Sequence, residues 1–150
     1  MDVIFLDVDG VLISGHWIKT TRKDRTFDPE AVKLLDAIID EADVDLVISS
    51  CWRIGRSTAE LKQLMQDQGL KNYNRVIGRT PSGGNMNGHR GREISEWIEA
   101  NDVDNFVIID DDSDMNPHMD RLVKTTFECG LKEEHAERVL ELLKKHNQTL

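Results

Sequence analysis

Cysteine is scarce: only Cys51 and Cys129 occur in 150 residues. Two thiols cannot build a disulfide framework, and they lack the clustered spacing of a zinc site. A reducing, cytoplasmic setting is the simple expectation. The five histidines fit no metal spacing either. Apolar runs are short, and none approaches the ~20 residues that span a bilayer. The opening MDVIFLDVDG has neither a basic region nor a cleavage site, so no signal peptide is expected there. Positive charge is in deficit: 19 Lys and Arg against 28 Asp and Glu give a net charge of −9. That balance argues against sequence-independent binding of duplex nucleic acid, which needs a basic footprint. The deficit is uneven, however. Lys19, Arg22, Lys23 and Arg25 share one short segment, while Asp110, Asp111, Asp112 and Asp114 share another. A local basic surface can exist under a global acidic charge.

What is present suits one compact domain over residues 1–150, with 39% hydrophobic and 31% charged residues. Short apolar runs alternate with helical periodicity, which predicts an α/β fold with a mainly parallel sheet of about five strands flanked by helices. The expected strands are 3–6, 44–48, 75–78, 106–109 and 122–125. Asp28 can cap a helix that has Pro29 in its first turn and Ala31, Leu34, Leu35, Ile38 and Ile39 on one face. Ser57 can cap a second helix ended by Gly69, Ile94 and Trp97 mark a third, and a last helix runs from about 133 to 145. Residues 13–27 show no sustained period, and the glycine-rich stretch 80–91 is expected to be a loop.

The strongest chemical signal is Asp7-Val8-Asp9-Gly10, directly after the first strand. Open α/β sheets bind ligands beyond the carboxyl ends of their strands. Gly10 permits a turn that brings both acids to one site, where one carboxylate attacks phosphorus and the other manages protons. The competing reading is an exposed acidic turn. The second strand ends in Ser49-Ser50-Cys51-Trp52-Arg53. Ser49 is assigned to a phosphoryl oxygen, and Arg53 offers a planar donor fork to the phosphate. Trp52 is expected in the core. The fourth strand ends in an acidic run that invites a hard cation. Asp112 reads as an acidic first turn, and Asp114 is left open. Arg90 and Arg92 both stand at a helix start, where the partial positive charge disfavours them unless an anion is near.

These four groups, in this order, resemble the four motifs of the haloacid dehalogenase-like (HAD) superfamily over nearly the whole chain. The resemblance implies a Rossmann-like core. It implies Asp7 as an aspartyl nucleophile, Asp9 as the general acid/base, and Ser49 as the second-motif hydroxyl. Arg90 is the third-motif cation, with Arg92 as its alternative, and Gly10 belongs to the substrate-binding turn. Mg2+ is the implied cofactor, held by Asp7, Asp110, Asp111 and the backbone carbonyl of Asp9, with Asp111 a more direct ligand than Asp110. The segments 49–53, Gly78-Arg79-Thr80-Pro81, 90–97 and 109–112 further resemble the small HAD domains of Swiss Army Knife RNA repair proteins.

By that resemblance, an acid at Asp9 favours phosphatase over dehalogenase chemistry. Only residues 13–27 separate the first motif from the first helix, so a minimal cap and an open site are expected. This suits a bulky or polymeric substrate, such as phosphorylated RNA or DNA ends, with a small-molecule or nucleotide phosphatase as the alternative and a non-catalytic binding module as the third. Within the flap, Trp17 among cations can stack a base and hold a backbone, or it can tuck into the core.

Overall fold

The structure is a computed structural model. It describes residues 1–82 and 89–148, the side chains of 145–148 excepted. The predicted loop at 80–91 therefore falls partly outside the described residues, at 83–88.

Five strands form one parallel sheet: β1 (Asp2–Leu6), β2 (Asp45–Ile48), β3 (Val76–Arg79), β4 (Asn105–Asp110) and β5 (Leu122–Lys124), in the order β3-β2-β1-β4-β5. The chain reverses direction across the sheet between β1 and β4, and β1 lies at the centre. Strands β1, β2 and β4 are apolar on both faces because helices cover both. On one side Ile4, Leu6, Leu46, Ile48, Val107 and Ile109 meet residues of α2 (Pro29–Ala42), α3 (Thr58–Asp67) and α5 (Glu133–Gln148). On the other, Val3, Phe5, Val47 and Ile108 meet Ile94 and Trp97 of α4 (Arg90–Ala100). This is the expected α/β HAD-type core.

Local chemistry sets the helix ends. Asp28 Oδ1 accepts from the Glu30 amide with Pro29 in the first turn, and Ser57 and Glu60 form a reciprocal capping box. Residues 13–27 differ from expectation, because they contain a helix, α1 (Gly15–Thr21). Seven residues are too few to show a period or to be stable alone. The helix is fixed from outside. Ser14 Oγ accepts from the Trp17 amide at 3.0 Å, and the Gly15 and His16 amides donate to Phe127 and Glu128 carbonyls at 2.8 and 3.0 Å.

The sheet ladder continues past its strand ends. The Asp7 amide donates to the Ile109 carbonyl, Ser49 to Leu6, Thr80 to Ile48 and Thr125 to Asp110, all at 2.9–3.0 Å. Thr80, Ser49, Asp7, Asp110 and Thr125 thus stand in one row along the carboxyl edge of the sheet.

Candidate active site

Asp7 is the centre of that row and is almost wholly buried. Burial, and then the neighbouring Asp110, push its carboxyl up to about 8, although Arg90 and the Val8 amide pull the other way. Oxygens of Asp7, Asp110 and Asp111 lie within 4.8 Å of one another. Asp111 is also raised, by burial and by Asp110. Three crowded carboxylates in a partly dry pocket are costly unless a cation joins them. The donor set is all oxygen, which fits a hard divalent ion such as Mg2+.

Gly10 makes the crowding possible. Its φ is +84°, and a Cβ there would lie 2.2 Å from Asp111 Oδ2. Its carbonyl accepts from Thr125 Oγ1 at 2.6 Å, which ties the β1 turn to the end of β5. Gly10 therefore shapes the turn against Asp111.

Of the two arginines at the start of α4, Arg90 is the one brought to the carboxylates. Its Nη1 lies 2.5 Å from Asp110 Oδ2 and 3.3 Å from Asp7 Oδ1. Burial opposes its charge, but Asp7 and Asp110 outweigh burial and hold its pKa above the usual arginine range. Arg92 is exposed. The helix can bring Arg90 this close because Gly91 packs against the Met115–Asn116 backbone, where a Cβ would meet the Asn116 carbonyl at 2.1 Å.

Ser49 is 1% exposed, and its hydroxyl has no hydrogen-bond partner. A buried hydroxyl left unpaired is costly, and a ligand oxygen would satisfy it. In the acidic run, Asp110 Oδ1 accepts from the Asp112 amide at 2.9 Å, and Asp112 Oδ1 from the Asp114 amide at 3.1 Å. Asp112 is exposed and serves the turn. Asp114 carries a buried carboxylate oxygen without a partner.

Arg53 is placed differently from the expectation that it grips phosphate. It is 4% exposed. Its Nε donates to the Thr80 carbonyl, Nη1 to Ser49 and Ser50 carbonyls, and Nη2 to the Pro81 carbonyl and Glu93 Oε1, at 2.8–3.2 Å. These five bonds use all five guanidinium N–H groups. Arg53 instead joins the loop after β2 to the end of β3 and the first turn of α4.

Trp52, expected in the core, is only half-buried. Its indole Nε1 donates to Asp9 Oδ2 at 3.1 Å. Asp9 itself is exposed. The only hint in sequence is that Trp52 follows the second strand closely; a partner 43 positions away leaves no local pattern.

Trp17 packs partly against the larger core cluster, and its Nε1 donates to the Thr26 carbonyl at 2.8 Å. Of its two readings, core packing is the one observed. Lys19 pairs with Glu128 at 3.3 Å, and Arg25 lies 5.8 Å from the centre of the Trp52 ring. Among the described residues, no helix is long and apolar enough to cross a membrane.

A search of curated proteins found no match to the chain. A model of the family described as "HAD domain in Swiss Army Knife RNA repair proteins" matches residues 3–136, from β1 into the first turn of α5. The chain therefore belongs to the HAD domains of Swiss Army Knife RNA repair proteins.

Proposed function

We propose that this chain is a Mg2+-dependent phosphomonoester hydrolase that works through an aspartyl-phosphate and acts on phosphorylated nucleic-acid ends. The observation that carries the reading is the pocket at the end of β1. A buried Asp7 faces Arg90 at 3.3 Å, with two further carboxylates and an unpartnered Ser49 hydroxyl around it. Few other reactions need a carboxylate nucleophile, a fixed cation, a neutral donor and a cation-attracting acid cluster together.

Asp7, Asp110 and Asp111, with the Asp9 backbone carbonyl, would hold Mg2+; when bound, it offsets carboxylate charge and the charge of the transferring phosphoryl group. Both Asp110 oxygens already have partners, Arg90 and the Asp112 amide, which leaves Asp111 the freer ligand. Asp7 attacks phosphorus through a carboxylate oxygen. As the ester P–O bond breaks, its electron pair goes to the leaving oxygen, which takes the proton from Asp9. Arg90 and the Ser49 hydroxyl neutralise and orient the phosphoryl oxygens. Asp9, now a carboxylate, takes a proton from water as the water oxygen attacks the same phosphorus. The Asp7–phosphorus bond breaks and its pair returns to Asp7, so the enzyme is restored.

The RNA-repair family and the minimal cap, one seven-residue helix, support a polymeric substrate. One observation favours a smaller substrate: Trp17 is occupied in the core and Lys19 in an ion pair. The deciding experiment is phosphate release in Mg2+ from 3′- and 5′-phosphorylated RNA and DNA oligonucleotides beside mononucleotides. Preference for an oligonucleotide end supports the reading. Equal turnover of mononucleotides moves the assignment to a small-molecule phosphatase. No release from any substrate defeats the enzyme itself.

A further inference from the structure

We infer that Trp52 is a positioning residue for Asp9: its indole N–H holds one carboxylate oxygen and so fixes the direction of the other. The inference rests on the phosphatase reading and adds a residue to it.

An indole N–H donates and cannot accept. At 3.1 Å it occupies Oδ2 as acceptor, which leaves Oδ1 as the oxygen free to face a leaving group. Asp9 is exposed and lies on a turn, where an unheld carboxyl group would sample several rotamers. The indole is itself held. Phe27 meets its ring edge-on at 5.7 Å between centroids, and the guanidinium carbons of Arg25 and Arg56 each lie 5.8 Å from its centre. The Trp52 amide donates to Ser50 Oγ at 3.2 Å, and its carbonyl accepts from Arg56 Nη1 at 2.8 Å. The one polar atom of the side chain is thus used on a carboxylate of the site. When Oδ1 gives its proton to the leaving oxygen, Asp9 becomes an anion and the N–H···Oδ2 bond becomes charge-assisted, hence stronger. The contact thus favours the transition state over the ground state.

The test is Trp52→Phe, which keeps an aromatic ring against Phe27 and removes the donor. Two substrates are compared in Mg2+: 4-nitrophenyl phosphate, whose leaving group needs little protonation, and a phosphorylated oligonucleotide, whose alkoxide does. The expected result is a ~10–100-fold loss of kcat on the oligonucleotide, a loss under about threefold on the aryl ester, and KM for both within about twofold. In an Asp9→Asn background the change should cost nothing further, because the acid that the indole positions is already gone. Equal losses on the two substrates, or a loss confined to KM, would overturn the inference while leaving the phosphatase reading intact. Failure of the unmodified protein to release phosphate from either substrate would sink both. A second measurement holds even where Trp52→Phe does not fold. The Trp52 indole N–H proton resonance should move upfield in Asp9→Ala while those of Trp17 and Trp97 stay in place. An unmoved Trp52 resonance means that the bond is absent and ends the proposal.

Discussion

The carboxyl edge of the sheet and the flap over residues 13–27 lie side by side and are built on opposite principles. Along the edge, backbone hydrogen bonds carry Thr80, Ser49, Asp7 and Thr125 one residue past their strands, in a row with Asp110, the last residue of β4. Position there is set by register, and a side chain needs no help to arrive. The flap has no such ladder. Its short helix is located by the Ser14 cap, by two amides donated to 127–128, and by Gln68, which bonds both the Phe27 amide and the Arg25 carbonyl. In the proposed reaction the phosphoryl-handling side chains of Asp7 and Ser49 stand on the ladder, and the flap is left to meet the rest of a substrate. Each prediction below breaks one side of this contrast and asks whether the other notices.

The largest effect should come from the edge itself. Asp7→Asn removes the proposed attacking group and a proposed metal ligand while keeping its size. Activity should fall by at least ~10³-fold, the scale on which covalent catalysts lose their nucleophile. Retention of a tenth of turnover in a phosphate-release assay would remove Asp7 from this role. The same variant has a pH signature. Folding raises Asp7 from its ordinary 3.8 to about 8, so the folded chain keeps a proton that the unfolded chain gives up. In metal-free buffer this contribution is most favourable below pH ~4 and is lost as pH rises towards about 8. Asp7→Asn should therefore melt higher than the unmodified protein at pH 8 without metal, with the gap shrinking towards pH 4. A constant gap would mean that Asp7 is not held in the strained state described.

Arg53 separates scaffold from substrate. Its ion pair with Glu93 is almost dry, with side chains 5% and 15% exposed, and four carbonyls also depend on it. Arg53→Ala should cost ~3–5 kcal/mol of stability, the range for stranding one member of a buried pair. Denaturant melts measure this. Substrate affinity of the folded fraction should change little. The opposite pattern, normal melting with a large rise in KM, would return Arg53 to the phosphate.

How much of this was readable follows the same division. The strand ends were legible because apolar runs stop at Leu6, Ile48 and Ile109, and polar residues follow each of them at once. Arg90 was legible because an arginine at a helix start is frustrated without an anion, and its anions are Asp7 and Asp110. Arg53 was not, because nothing local says that a guanidinium folds back onto carbonyls 27 and 28 residues away. Trp52 was read only in part: its half-buried ring does pack on the core, but nothing local says that the indole N–H donates to Asp9. Helix α1 escaped because its stabilising bonds are tertiary.

The acid cluster should answer next. Chelation with EDTA should abolish activity and Mg2+ should restore it. Asp111→Ala should raise the Mg2+ concentration needed for half-maximal rate more than Asp112→Ala does, since Asp112 is exposed and bonded to the turn. Identical Mg2+ curves for the two variants would take Asp111 out of the metal site.

The smallest effect belongs to the flap, and it decides the substrate's length. Lys19, Arg22, Lys23 and Arg25 lie on or just after α1, while the reacting phosphate is proposed to sit at Asp7 and Arg90. Lys19 and Glu128 are both exposed, so breaking their pair should cost little stability. Each cation that touches a single-strand backbone adds roughly 0.7 to the slope of log affinity against log salt. Replacing all four by alanine should raise KM for a phosphorylated oligonucleotide and flatten its salt dependence by up to about 3 in that slope, with 4-nitrophenyl phosphate nearly unaffected. Arg25 carries an extra consequence, since it also lies over Trp52. If it helps hold the indole, restoring Arg25 alone should recover oligonucleotide kcat and leave the salt slope mostly flat. Trp17→Ala is the matching control. Its ring packs on the core, so it should lower stability by less than the ~3–5 kcal/mol of a full core truncation and leave the salt slope unchanged. A flattened slope in Trp17→Ala with normal melting would mean that Trp17 faces the strand after all. An unchanged slope in the fourfold variant would make the flap a solvated cover, and a short substrate would then fit the site better than a polymer end.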